Sequence, residues 1–226
     1  MVYGDGVGRS LPFNKYLATL YTLITYISWQ LHELGHWAAC KILGIDAIFG
    51  FNVWKILNNH NFSMLAIIAG PLTNLILAVI GLVLLYFVGS LLIARIGLFL
   101  LISNSLIDIG SALISVKHVV AYHSLCSEPT WKLILSPIFL ILLYMGVRMY
   151  REKLSLRILF IMAILTAILG IVAIPIDTIT WSCIERGVLI CSPIAGISTI
   201  VIIVNIVVTI LTIIYILVCR WRLCEM

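Results

Sequence analysis

Six long apolar stretches, Tyr16 to Cys40, Met64 to Val88, Leu91 to Val116, Trp131 to Val147, Ile158 to Ile176 and Ile194 to Val218, leave this 226-residue chain few ways to fold. Backbone N–H and C=O groups find no partner in hydrocarbon, so a segment of this kind satisfies them internally as a helix. Crossing a core of about 30 Å takes roughly 17 to 25 helical residues, which every stretch supplies and Trp131 to Val147 supplies only marginally. Hydrophobic residues make up 63% of the chain and charged residues 10%, against roughly 45 to 50% and about 25% in soluble domains. The expected fold class is therefore an all-α polytopic protein with about six transmembrane helices, a multi-pass integral component of the cell membrane with the lipid bilayer as its solvent. No short apolar segment followed by a small-residue cleavage site opens the chain, so the first stretch is expected to be retained. The net charge of +5 comes from basic residues that lie mainly at the ends of apolar stretches, where they meet water and headgroups. That distribution argues against a nucleic-acid partner.

The first stretch carries His32-Glu33-Leu34-Gly35-His36 near its end. On a helix, His32 and His36 stand one turn apart on one face, so both imidazoles can reach one tetrahedral Zn²⁺ while Glu33 holds the attacking water. The bland alternative, a polar cluster snorkelling to the interface, leaves unexplained two histidines and a glutamate in costly apolar surroundings. The expectation is hydrolytic zinc chemistry within a membrane, with Glu33 as the catalytic base and Zn²⁺ as cofactor.

Gly44 is expected to stop the first helix near Lys41. The segment from Ile45 to Lys55, rich in aromatic and β-branched residues, favours extended structure at the membrane surface. A strand there must pair with something or line a wet cavity. In the second stretch, Gly70-Pro71-Leu72-Thr73-Asn74 predicts a kink or break at Pro71, close helix approach at Gly70, and a partner for the Asn74 amide. The six cysteines contain no CxxC pair, which disfavours a thiolate site. Cys183 and Cys191 share one loop, and a disulfide or two thiols are both open readings.

Within the third stretch, Asp108 is a carboxylate deep in an apolar segment, which is functional by default. His32 is nine residues before Lys41 and Asp108 nine before Lys117; in two helices running the same way, both then lie on the order of 13 Å below one face. That match makes Asp108 the expected third metal ligand beside His32 and His36. Glu128, Glu152, Glu185 and Glu225 lie outside the apolar cores and Asp177 at a span end, so they compete poorly. His118 and His123 read as loop residues, and Arg95 as a side chain that snorkels to the opposite face.

HELGH with the following Ala38 to Ile45, the GPLTN segment, and Asp108-Ile109-Gly110 together make the chain resemble the site-2 protease family of intramembrane zinc metalloproteases. The likeness covers roughly the first 117 residues. It implies a three-helix catalytic core over residues 1–117, with His32, His36 and Asp108 as zinc ligands and Glu33 as general base, followed by three additional helices over 118–226. It further implies a membrane-associated β structure after the first helix that pairs with an unfolded substrate strand, and a substrate contact at Asn74. The third motif departs from the family pattern: Leu100, Ser103 and Leu106 stand where Asn and Pro residues are usual, and Ile109 replaces a Gly. Asn104, one turn before Asp108, is the residue expected to supply the missing amide toward substrate.

The function so implied is endopeptidase cleavage of the transmembrane segments of membrane-tethered proteins, in regulated intramembrane proteolysis. Two alternatives share the motif: a prenyl-protein type membrane zinc protease, which takes its third ligand from a glutamate, and a non-proteolytic metal-binding transporter. Lys and Arg near the span ends number eight on the side of the termini and five on the metal side. The positive-inside rule then puts both termini in the cytoplasm, whereas the resemblance implies the reverse.

Overall fold

A computed structural model describes residues 14–50, 54–56, 63–87, 89–122, 128–150, 154–189, 193–194 and 196–223, with side chains placed for all of these but 54–56, 114–122, 129, 177 and 219–223. Six helices run α1 (Lys15–Ile42), α2 (Met64–Phe87), α3 (Leu91–Tyr122), α4 (Glu128–Met149), α5 (Leu156–Glu185) and α6 (Thr199–Leu223). Five helical segments, in α2 to α6, are long and apolar enough to cross a membrane. α1 has the length, at 28 residues, but also carries Lys15, Gln30, His32, Glu33, His36 and Lys41.

Both ends of α1 are written in its sequence. Asn14 caps the start, its Oδ1 accepting from the N–H groups of Tyr16 and Leu17 at 3.1 Å each. At the other end Gly44 adopts φ 71°. Its N–H donates to the Lys41 carbonyl at 3.1 Å, and that of Ile45 to the Cys40 carbonyl at 2.8 Å. This is a Schellman stop, in which a left-handed glycine lets two final carbonyls be paired. Ile45 then packs on the small cluster of Ala39, Cys40, Ala47 and Ala66.

The chain after Gly44 is extended, as its composition predicts. β1 (Ala47–Phe49) pairs antiparallel with β2 (Trp54–Ile56), Ile48 opposite Lys55. Further pairing comes from a segment that sequence alone did not suggest. β4 (Ile197–Ser198), just before α6, lies parallel to β1 and antiparallel to β3 (Pro193–Ile194), giving a four-stranded sheet in the order β2-β1-β4-β3. β1 is buried along its length and is paired on both sides, on the β4 side through Phe49, whose N–H donates to the Gly196 carbonyl. The sheet therefore ties the exit of α1 to the entry of α6.

Small residues let the first helices approach closely. A Cβ on Gly81 would stand 2.6 Å from the Gly97 carbonyl oxygen, so α2 and α3 meet backbone to backbone. α2 is continuous through Pro71; the expected break does not occur, because a helix tolerates one lost N–H when its neighbours hold it. The main core joins Leu17, Leu20, Tyr21 and Ile24 of α1 to Leu98, Phe99 and Ile102 of α3 and Met162 of α5. The buried Tyr21 hydroxyl meets Thr166 Oγ1 at 2.7 Å. Arg95, expected to snorkel, is instead only 5% exposed within the protein. The outward faces of α2, α4, α5 and α6 carry exposed Ile, Leu and Val.

Candidate metal centre

His32 and His36 project from one face of α1 into the junction of α1, α2 and α4. Their Nε2 atoms are 3.3 Å apart, with the rings edge to face at 82°. A carbonyl only accepts, so the 2.6 Å contact between His36 Nδ1 and the Ala66 carbonyl puts a proton on Nδ1 and leaves the Nε2 lone pair for another partner. Gly70 makes room for this: a Cβ there would overlap His36 Nε2 and stand 2.7 Å from His32 Nε2.

α2 joins this pair to Asp108 through one stripe at helical spacing. Ala66 orients His36, Gly70 faces both imidazoles, and Asn74, one turn on, donates from Nδ2 to Asp108 Oδ2 at 2.5 Å. Asp108 is fully buried, and its Oδ1, like the Asn74 Oδ1, has no hydrogen-bond partner among the described residues. Asn104, one turn below Asp108 on α3, donates to Ser28 Oγ of α1 at 3.2 Å and to the Leu100 carbonyl at 2.7 Å. Its nitrogen is thus occupied in holding α3 to α1.

The sequence reading set Glu128 aside as too shallow, and the structure corrects this. Glu128 is the first residue of α4; its Oε1 lies 3.1 Å from His32 Nε2 and its Oε2 3.5 Å from His36 Nε2. α4 packs on α2 and α3, and its first residue reaches the histidines of α1. Donor atoms of His32, His36 and Glu128 all lie within 4.8 Å of one another. One turn along α4, Lys132 Nζ contacts Glu128 Oε1 at 2.5 Å. Asp108 and Glu33 lie within electrostatic reach of the same ammonium. Neither of these α4 residues stood out in the sequence, where Glu128 and Lys132 have the spacing of an ordinary exposed helix pair. The short fourth apolar stretch, with Lys132 inside it, was the available signal.

Do these residues suit zinc? Zinc bonds of about 2.0 to 2.1 Å at tetrahedral angles separate neighbouring donors by about 3.3 to 3.4 Å. The His–His separation of 3.3 Å matches, and Glu128 sets Oε1 3.1 Å from His32 Nε2 and Oε2 3.5 Å from His36 Nε2, one oxygen on each imidazole. Charge leads to the same class of ion. The Glu128 carboxylate beside two imidazoles gives an anionic donor set of the kind a divalent cation takes. The two-histidine, one-carboxylate set is a known zinc donor set that keeps a fourth position for water.

Of the sequence-selected residues, His32 and His36 stand in the donor cluster, and Glu33 follows His32 on α1; Asp108, the expected third ligand, lies outside that cluster, where Glu128 stands instead, and is held by Asn74, with Asn104 one turn below. His123, Cys191, Glu152 and Glu225 lie outside the described residues, as do the side chains of His118 and Asp177. Cys183 is disulfide-bonded. No protein-family model, curated protein or solved structure matches this chain.

Proposed function

We propose that this chain is a zinc-dependent endopeptidase that hydrolyses a peptide bond within a transmembrane segment of another membrane protein. The observation that carries the reading is the α2 stripe of Ala66, Gly70 and Asn74, which joins the two HELGH imidazoles to Asp108. Those are the three segments on which the resemblance to site-2 proteases rests. Zinc held here supplies a Lewis acid for the scissile carbonyl and a bound water of lowered pKa. Glu33, next to His32 on α1, would act as the general base toward the attacking water and then as the acid toward the departing amine. His36, fixed in one tautomer by Ala66, presents its Nε2 lone pair without rearrangement. Substrate carbonyls are hidden in helical hydrogen bonds until the segment unwinds, so helix-weakening residues near the cut favour cleavage.

A second reading, the prenyl-protein type of membrane zinc protease, is favoured by Glu128, since that class uses a glutamate as third ligand. The readings differ in one measurable respect. Zinc content of purified Asp108→Ala and Glu128→Ala proteins separates them: loss only in the Asp108 variant supports the first, and loss only in the Glu128 variant the second. Proteolysis itself is tested by co-expressing wild type or Glu33→Gln with membrane-tethered candidate substrates. Cleavage that depends on Glu33 is expected; equal processing in both overturns the enzymatic reading.

A further inference from the structure

Lys132 is in an unusual place for a lysine. Its side chain is only 12% exposed, and a buried ammonium is costly unless it is paired. It lies in the second turn of α4, near a helix N-terminus, where the macrodipole disfavours a cation. Helix stability therefore does not account for it. Its contacts do: Nζ meets Glu128 Oε1 at 2.5 Å, and Glu33 and Asp108 lie in its field. Glu128, by contrast, is a long side chain on the first residue of a helix and is 30% exposed. Such a group has many rotamers open to it, yet it lies against both imidazoles.

We propose that Lys132 is a positioning residue for the metal centre, clamping the Glu128 carboxylate from α4 against His32 and His36 of α1. This rests on Glu128 being a ligand of the centre beside His32 and His36, whichever protease class the centre serves, and assigns the site a second, cationic component. Outer partners that orient a ligating carboxylate typically change metal affinity by 10 to 100-fold when removed. The opposing effect is repulsion between ammonium and metal, which the Glu128 carboxylate between them screens. The reach from residue 128 to residue 132 is one helical turn, so clamp and ligand move together as α4 docks.

The test measures metal binding on the purified full chain, by chelator competition with Zn²⁺ and by visible absorption of bound Co²⁺, whose band intensities report coordination. Lys132→Met is expected to weaken Zn²⁺ binding about 10 to 100-fold and to shift the Co²⁺ spectrum toward that of Glu128→Gln. Lys132→Arg, which keeps the charge and reach, should restore most of the affinity. Because Lys132 acts through Glu128, the double variant should bind no more weakly than Glu128→Gln alone. Affinity in Lys132→Met equal to or above wild type, or additive losses in the double variant, overturns the proposal while leaving the protease reading intact. Failure of the wild-type chain to bind either ion overturns both.

Discussion

The strongest constraints at the scale of single residues come from groups with no freedom to move. Gly70 is one: any Cβ there collides with the imidazole pair, and overpacking of this kind typically costs about 1 to 3 kcal/mol. Gly70→Ala is therefore expected to lower bound zinc at least several-fold while leaving helical content unchanged, as read by elemental analysis and circular dichroism. Unaltered zinc content would mean that the histidines are not held where α2 meets them. Asn74 is another. It donates to a fully buried Asp108, so Asn74→Ala leaves a carboxyl group without its donor, at about 1 to 3 kcal/mol. Unfolding in mixed micelles should show that loss, and Asp108→Asn should recover part of it. His32, Glu33 and His36 were legible in the sequence because one helical turn dictates their spacing. Glu128 was not, because its approach depends on how α4 docks, and no spacing within α4 encodes that.

At the scale of elements, the helices were readable and their ends nearly so. Gly44 was expected to stop α1 and does, with φ 71°; a non-glycine residue there pays roughly 1 to 2 kcal/mol for left-handed backbone. Gly44→Val should accordingly lower stability by about that amount, measured by thermal unfolding, and a neutral result would show that the Schellman stop is dispensable. Apolar length fixed six stretches, but it does not say where a helix begins when polar residues precede the apolar ones. That is why α4 starts at Glu128 rather than Trp131 and brings its charged first turn to the histidines. Extended structure after α1 was legible from Ile48, Phe49 and Val53, whereas its pairing with Ile197 was not. The partner strand lies some 150 residues on, and strands this short carry no register in their own sequence.

Viewed as a whole molecule, the alternation of helices puts the β1 to β4 sheet, the first turn of α4 and the Cys183 end of α5 on one face, the face nearest the metal centre. A disulfide at Cys183 is compatible with an oxidising compartment on that face, as is the excess of Lys and Arg beside the termini. In intact cells an impermeant thiol reagent should therefore modify Cys183 only after an impermeant reductant has opened the bond. Modification that requires permeabilised membranes would reverse the orientation. The central claim is that α1, α2, α3 and α4 assemble a zinc centre at which Glu33 performs hydrolysis. Its most direct measurement pairs zinc content with cleavage of one membrane-tethered substrate, for wild type and Glu33→Gln purified side by side. The account predicts that both proteins hold zinc and only the wild type cleaves; a Glu33→Gln protein that cleaves as well as wild type, or a wild type that cleaves without zinc, would contradict it.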